Sequence, residues 1–101
     1  MIQFLMRLLD NEIYIIKKTI LNYIDDAKII LFGSRLYDEK KGGDIDICVQ
    51  TKQEVPLSKK LKILAYIEIN GITRKVDLLL KTPNTIHSAI FDEIDKEGIV
   101  L

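Results

Sequence analysis

The sequence predicts a small α/β (α+β) fold in which helices pack on a β-sheet. Short apolar segments of strand length, at 28–32, 44–51 and 74–81, are interspersed with longer segments whose apolar residues recur at helical spacing. The resulting order of elements, α-β-β-α-β-α, is typical of a sheet covered by helices. Because 101 residues are enough for one core, we expect a single domain over residues 1–101.

A leading helix is predicted from seven apolar residues at helical spacing: Ile2, Leu5, Leu9, Ile13, Ile16, Ile20 and Ile24. The pair Asp25-Asp26 ends this helix, and its start lies either near Ile2 or at Asp10, which would cap it. The apolar beginning is not typical of a signal peptide, because Arg7 follows most of the apolar residues and no small-residue cleavage site comes after it. No apolar run approaches the roughly 18 residues of a membrane span.

Two strands are predicted next. Residues Lys28–Phe32 are apolar on both faces and predict an interior strand. A polar connection follows over Gly33–Gly43, with one helical turn expected at Ser34–Tyr37. Polar and apolar residues then alternate over Asp44–Thr51. This alternation assigns Ile45, Ile47 and Val49 to one face of a strand and Asp44, Asp46, Cys48 and Gln50 to the other.

The second half of the chain predicts a helix, a strand, a helix and a tail strand. Pro56 and Gly71 bracket a helix over 57–70. Its expected apolar face is Leu57, Leu61, Leu64, Ala65 and Ile69. A third strand follows over Arg74–Lys81, with Val76, Leu78 and Leu80 on one face and Lys75, Asp77, Leu79 and Lys81 on the other. Thr82 and Pro83 are expected to start a helix that ends before Gly98, with Ile86, Ile90 and Ile94 as its buried seam. A short strand over 99–101 is expected to close the chain.

The composition narrows the possible function classes. Fifteen Lys and Arg balance fifteen Asp and Glu, which argues against a protein whose main activity is strong nucleic-acid binding. Cys48 is the only cysteine, so the chain has neither a disulfide framework nor a cysteine metal cluster. A reducing cytoplasmic environment fits this composition, with Cys48 as a small core residue.

Three carboxylates and one Gly-Ser pair are the candidate functional residues. Asp44 and Asp46 project from the same face of a strand, so both can converge on one ion or on a pair of ions. Asp77 joins them if the third strand pairs beside the second. Carboxylate oxygens suit magnesium, and two such ions can align an attacking hydroxyl and a leaving pyrophosphate. Gly33 allows a phosphate to approach the backbone closely, and Ser34 offers a hydroxyl.

Each of these features also has a simpler interpretation. A Gly-Ser pair after a strand is usually a turn, and an Asp-x-Asp pair is usually a strand entry or a solvated face. Arg35 is balanced between bracing its loop and contacting a nucleotide, and His87 is most simply a surface or satisfied histidine. An EF-hand is excluded, since a loop starting at Asp44 would have Val49 and Val55 where Gly and Glu are needed. The sequence contains no phosphate loop of the Walker type and no dinucleotide-binding turn.

At these residues the chain resembles the minimal nucleotidyltransferases, the small stand-alone branch of the DNA polymerase β-like superfamily. The likeness extends over the leading helix and four further segments: 29–35, 43–47, 76–78 and 97–101. The Gly-Ser pair of the family falls on Gly33 and Ser34, its Asp-x-Asp pair on Asp44 and Asp46, and its third acidic residue on Asp77. Arg35 directly follows the Gly-Ser pair as a candidate nucleotide contact.

The resemblance implies a mixed, palm-like sheet and magnesium-dependent transfer of a nucleoside monophosphate to a hydroxyl, with ATP as the donor of AMP and two metal ions. It also implies a helical HEPN toxin as partner, with the transferase acting as antitoxin by adenylylating a tyrosine of the toxin. Two alternatives stay open: an antitoxin that acts by binding alone, and a small-molecule nucleotidyltransferase of the antibiotic-modifying kind. The sequence leaves the oligomeric state open.

Overall fold

A computed structural model of the chain describes residues 10–33 and 44–101. These residues contain three helices and four strands, listed here in chain order: α1 Asp10–Tyr23, β1 Lys28–Phe32, β2 Ile45–Gln50, α2 Leu57–Ile69, β3 Val76–Lys81, α3 Ala89–Glu97 and β4 Ile99–Val100. The start of the leading helix near Ile2 and the helical turn at Ser34–Tyr37 lie outside the described residues. The other predicted elements are present, and the predicted bounds of β1 are confirmed.

The four strands form one mixed sheet in the order β3-β2-β1-β4. Strand β1 pairs antiparallel with both β2 and β4, while β2 and β3 run parallel. Helix α2 connects the two parallel strands, which is the usual crossover for such a pair. The sheet-and-helix fold class predicted from the sequence is therefore confirmed.

The larger core lies between one face of the sheet and helices α1 and α2. The predicted inward residues Ile45, Ile47 and Val49 of β2 are all buried there. They meet Ile16 and Ile20 from α1 and Ile63 and Ile67 from α2, and neither Ile63 nor Ile16 has any exposed surface. The period-two pattern of β2 therefore specifies which of its faces is buried in this core.

A smaller core lies on the opposite face, beneath α3. It joins Ile30 of β1 and Cys48 of β2 to Phe91 and Ile94 of α3. The sheet is thus covered on both faces along its middle. Within the described residues, no helix is long and apolar enough to cross a lipid bilayer.

The predicted apolar face of α2 was wrong except at Leu64, which packs against the larger core. Leu57, Leu61 and Ile69 are 68%, 55% and 74% exposed, whereas Ile63 and Ile67 are buried. Helix α2 carries apolar residues around most of its circumference, so spacing alone could not identify the inward stripe. Contacts with α1 fix its orientation: the rings of Tyr23 and Tyr66 lie 5.9 Å apart.

The predicted start of the last helix was also wrong, and of its predicted seam only Ile94 is buried. The backbone N–H of Thr82 donates to Thr85 Oγ1, and the N–H of Thr85 donates back to the Thr82 carbonyl. Pro83 therefore occupies the second position of a turn, which its fixed φ also suits. Helix α3 begins only at Ala89, and its buried residues are Phe91 and Ile94. Ile86 is 88% exposed, and Ile90 is 38% exposed.

The two faces of α2 can be distinguished by mutation. Replacing Ile63 with Ala should lower the free energy of unfolding by about 2–5 kcal/mol, because the side chain is fully buried. Replacing Leu61 with Ala should change it by no more than about 0.5 kcal/mol, because that side chain is 55% exposed. Urea unfolding of both variants measures the difference. Equal losses would contradict the orientation of α2 described here.

Candidate active site

The sheet aligns two of the candidate carboxylates in one row across three strands. Phe32 of β1 is the register partner of Asp46 on β2, and Asp46 is the register partner of Asp77 on β3. Directly paired residues project from the same face, and neighbouring strands lie about 4.8 Å apart. Asp44 precedes Asp46 by two residues and lies directly before the start of β2. The predicted condition that β3 pairs beside β2 is therefore met.

Helix α3 covers the same face of the sheet but only further along the strands. It packs on the next row, Ile30 and Cys48, through Phe91 and Ile94. Asp44 and Asp77 are exposed, and Asp46 is partly buried. The side chain of Asp77 retains 49% exposure. The carboxylates thus stand at an open end of the sheet, directly beside a closed apolar core.

Gly33 lies against Asp46 at the end of β1. Its φ is +114°, in the left-handed region that favours glycine. A Cβ atom at this position would lie 2.6 Å from Asp46 Oδ2, which is closer than such atoms approach. Glycine is therefore needed here for two reasons, the backbone conformation and the space that the Asp46 carboxylate occupies.

The residues fit a divalent cation by their placement on the sheet. Asp46 and Asp77 are adjacent on parallel strands, and hard cations such as magnesium prefer carboxylate oxygens. The side chains of the described residues do not yet converge: no group of three His, Cys, Asp or Glu is close enough to hold a metal ion. The carboxylate of Asp77 instead pairs with the Lys75 ammonium, with 3.6 Å between Oδ1 and Nζ.

Four of the six predicted site residues belong to the described part of the chain. Gly33, Asp44, Asp46 and Asp77 lie at one end of the sheet, on or beside one face. Ser34 and Arg35 lie outside the described residues, so their predicted nucleotide contacts stay predictions. The catalytic and metal-binding roles of the other four also stay predictions.

Residues 15–101 match the sequence model of the family described as "Polymerase beta, Nucleotidyltransferase". The chain belongs to this family. The match extends from within α1 to the end of the chain and includes the Gly-Ser pair and all three candidate carboxylates. A search of curated proteins gives no match.

Solved structures of toxin–antitoxin complexes contain chains with the same fold. Two are mutants of the MntA–HpeT toxin–antitoxin complex. The first, with a tyrosine replaced by alanine, matches with a TM-score of 0.65 and 21% identity over 93% of this chain and 71% of the other. The second, with two aspartates replaced by glutamate, matches with a TM-score of 0.68 and 18% identity over 92% of this chain and 71% of the other. The third is a tri-AMPylated Shewanella oneidensis HEPN toxin in complex with its MNT antitoxin, with a TM-score of 0.63 and 23% identity over 89% and 67%. At these identities the likeness shows a shared fold.

Two features of this nucleotidyltransferase domain were missed from the sequence. One is the ion pair that Lys75 forms with Asp77. The other is an ion pair between Glu12 of α1 and Arg74, the residue before Lys75. Arg74 Nη2 donates to Glu12 Oε1 at 2.6 Å, and Arg74 Nε donates to Oε2 at 3.2 Å. The side chains are only 12% and 11% exposed. The separation of 62 residues along the chain left no local signal that would pair them.

The Glu12–Arg74 pair ties α1 to the entry of β3. The next residue, Lys75, accepts a hydrogen bond through its carbonyl oxygen from the backbone N–H of Ile45 at 2.8 Å. Ile45 is the first residue of β2 and lies between Asp44 and Asp46. A bidentate, largely buried pair is therefore coupled through one peptide unit to the strand that follows Asp44 and carries Asp46.

Cys48 adjoins the carboxylates on the buried side. It lies two residues beyond Asp46 on the same face of β2 and has no exposed surface. Burial raises the pKa of its thiol to about 11, and Asp95 adds to the rise while Lys81 opposes it. The thiol is therefore protonated near neutral pH and serves as a packing group.

Gly33→Ala and Gly71→Ala form a matched pair of variants. Both glycines have a positive φ, so each substitution should cost about 1–2 kcal/mol of unfolding free energy, measured in urea. Only at Gly33 would the new methyl displace the Asp46 carboxylate, because nothing lies within 4 Å of a Cβ at Gly71. The carboxyl carbon resonance of Asp46 should shift in Gly33→Ala alone. An unshifted resonance there would refute the close contact.

Glu12→Gln should be strongly destabilising. It leaves the guanidinium of Arg74 largely buried beside a neutral partner, which should cost about 3 kcal/mol or more. Asp92→Asn is the control, since Asp92 pairs with His87 at the surface, where the side chains are 63% and 66% exposed, and it should cost no more than about 0.5 kcal/mol. Urea unfolding of both variants gives the comparison. A loss for Glu12→Gln as small as the control would show that the buried pair is dispensable.

Proposed function

We propose that this chain is a magnesium-dependent protein adenylyltransferase that moves AMP from ATP to a tyrosine hydroxyl of a HEPN-type toxin and so acts as an antitoxin. The observation that carries the proposal is the register of Asp46 with Asp77 on adjacent parallel strands, in a chain of the polymerase beta nucleotidyltransferase family. The shared fold with an MNT antitoxin in complex with a tri-AMPylated HEPN toxin supports the choice of acceptor.

Each candidate residue has a role in this proposal. Asp44, Asp46 and Asp77 hold the divalent ions, which would neutralise charge on the phosphates and align the attacking and leaving oxygens. Gly33 and Ser34 receive the triphosphate, and Arg35 contacts the nucleotide. Positioning and charge neutralisation supply most of the rate, as is general for phosphoryl chemistry.

The transfer itself needs one proton acceptor. The acceptor hydroxyl oxygen bonds to the α-phosphorus, its proton passes to Asp77, and the bond from the α-phosphorus to pyrophosphate breaks. Asp77 suits this step because its side chain retains 49% exposure and lies on the outer strand of the described sheet. Pyrophosphate leaves with the negative charge.

The open end of the sheet supports an acceptor that arrives on another protein. Helix α3 covers the neighbouring row and leaves the carboxylates accessible from solvent. The described residues form the sheet and the helices that cover it, and they include no separate unit that could bind an acceptor. We place the reaction in the cytoplasm, where ATP and magnesium are available and the single thiol of Cys48 stays reduced.

The test incubates the purified chain with Mg-ATP and the protein encoded beside it, followed by mass measurement of the intact partner. The wild type should add mass in steps of one AMP. Asp46→Asn should lower the rate by at least roughly a hundredfold, because a carboxylate that holds the metal is lost. Asp92→Asn, which makes the same chemical change on the exposed face of α3, should leave the rate unchanged.

Two outcomes would reject the proposal. Equal rates for the wild type and Asp46→Asn would show that the carboxylates do not serve the transfer. Neutralisation of the partner that survives Asp46→Asn, with no added mass on the partner, would instead identify an antitoxin that acts by binding alone.

A further inference from the structure

Lys75 lies beside the candidate carboxylates, directly before the start of β3. Alternation along β3 sets Lys75 and Asp77 on the face opposite Val76 and Leu78, which belong to the larger core. Asp44 and Lys75 directly precede Ile45 and Val76, the first register partners of β2 and β3. Three negative groups and one positive group therefore lie at the start of β2 and β3.

The ammonium of Lys75 is engaged with one of these carboxylates. Its Nζ lies 3.6 Å from Asp77 Oδ1, which is an ion pair but longer than a strong hydrogen bond. The two side chains are 71% and 49% exposed. Water and salt screen such a pair, so its net strength is small and the two groups separate easily.

We propose that Lys75 is a resident counter-ion of this site. Its ammonium pairs with the Asp77 carboxylate until a divalent cation displaces the ammonium. The inference rests on the proposed function, because that function supplies the cation. Lys75 and the metal are attracted to the same carboxylate, and one binds at the expense of the other. The pairing also accounts for the present orientation of Asp77, whose carboxylate is directed to Lys75 rather than gathered with Asp44 and Asp46.

Competition between Lys75 and the metal predicts the direction in which a Lys75 substitution changes the metal affinity. Removing the positive charge of Lys75 should strengthen metal binding, since the cation no longer displaces an ammonium and no longer meets its repulsion. The effect should be modest because the pair is exposed, about three- to tenfold in the dissociation constant at low salt. It should shrink as the salt concentration rises.

The experiment measures Mn²⁺ binding to the purified full chain by electron paramagnetic resonance of the free ion. Mn²⁺ is suited to the same oxygen ligands as magnesium. Lys75→Met should bind Mn²⁺ about three- to tenfold more tightly than the wild type, and Lys75→Arg, which keeps the charge, should stay within about twofold. Lys81→Met is the matched control. It removes the same charge from the same face of β3, but about 13 Å from Asp77 along the strand, and should also stay within about twofold.

Asp77→Asn provides the second arm of a double-mutant cycle. In that background the counter-ion has lost its partner, so Lys75→Met should tighten Mn²⁺ binding clearly less than it does with Asp77 present, and only the relief of repulsion remains. The inference is overturned if Lys75→Met binds no more tightly than the wild type, if Lys81→Met tightens binding equally, or if the gain persists undiminished in Asp77→Asn. These results would leave the proposed transfer standing, provided that the wild type still adenylylates its partner. Absence of Mn²⁺ binding by every variant, with and without ATP, would overturn both.

Discussion

The parallel pairing of β2 with β3 is the constraint on which the candidate site depends. It joins strands that are distant in sequence and sets Asp46 against Asp77. The ladder is bracketed by hydrogen bonds from Ile45 N to the Lys75 carbonyl and from Thr51 N to the Lys81 carbonyl. Beyond the row that contains Asp46 and Asp77, here called the acidic row, both faces of β2 are buried. A slip of one residue would therefore turn carboxylates into the larger core, and the hydrophobic pattern excludes it.

Unequal coverage of the two sheet faces keeps that acidic row accessible. Helices α1 and α2 bury one face broadly, whereas the nine-residue α3 buries the other only around Ile30 and Cys48. The chain thereby places an apolar layer directly beside a polar, solvent-exposed one. The buried Glu12–Arg74 pair fastens the start of β3 at this same end. Rigid neighbours on one side and open solvent on the other suit the proposed function, in which the site would hold ions in fixed geometry and admit a large acceptor.

The sequence predicted the strands better than the helices, for a physical reason. Alternation in β2 and β3 has only two possible phases, and burial selects one, so the faces of Ile47 and Leu78 were predicted correctly. Helix α2 has apolar residues on several sides, and only tertiary contact selects Ile63 over Leu61. The adjacency of Asp46 and Asp77 was predicted only conditionally, because no local pattern reveals which strands pair. Lys75 was assigned to the correct face, but its contact with Asp77 depends on side-chain orientation. The contributions of Ser34 and Arg35 fall outside the described residues.

Cys48 gives the molecule a natural reporter. It is the only thiol in the sequence, and its side chain is sealed between β2 and α3, two residues beyond Asp46. A thiol-modifying reagent can reach it only when α3 moves away from the sheet, so the rate of labelling reports how often α3 opens. The rate of local opening beside the carboxylates can thus be measured in the unaltered protein, without an introduced probe. The same rate can be compared before and after a nucleotide or a partner is added.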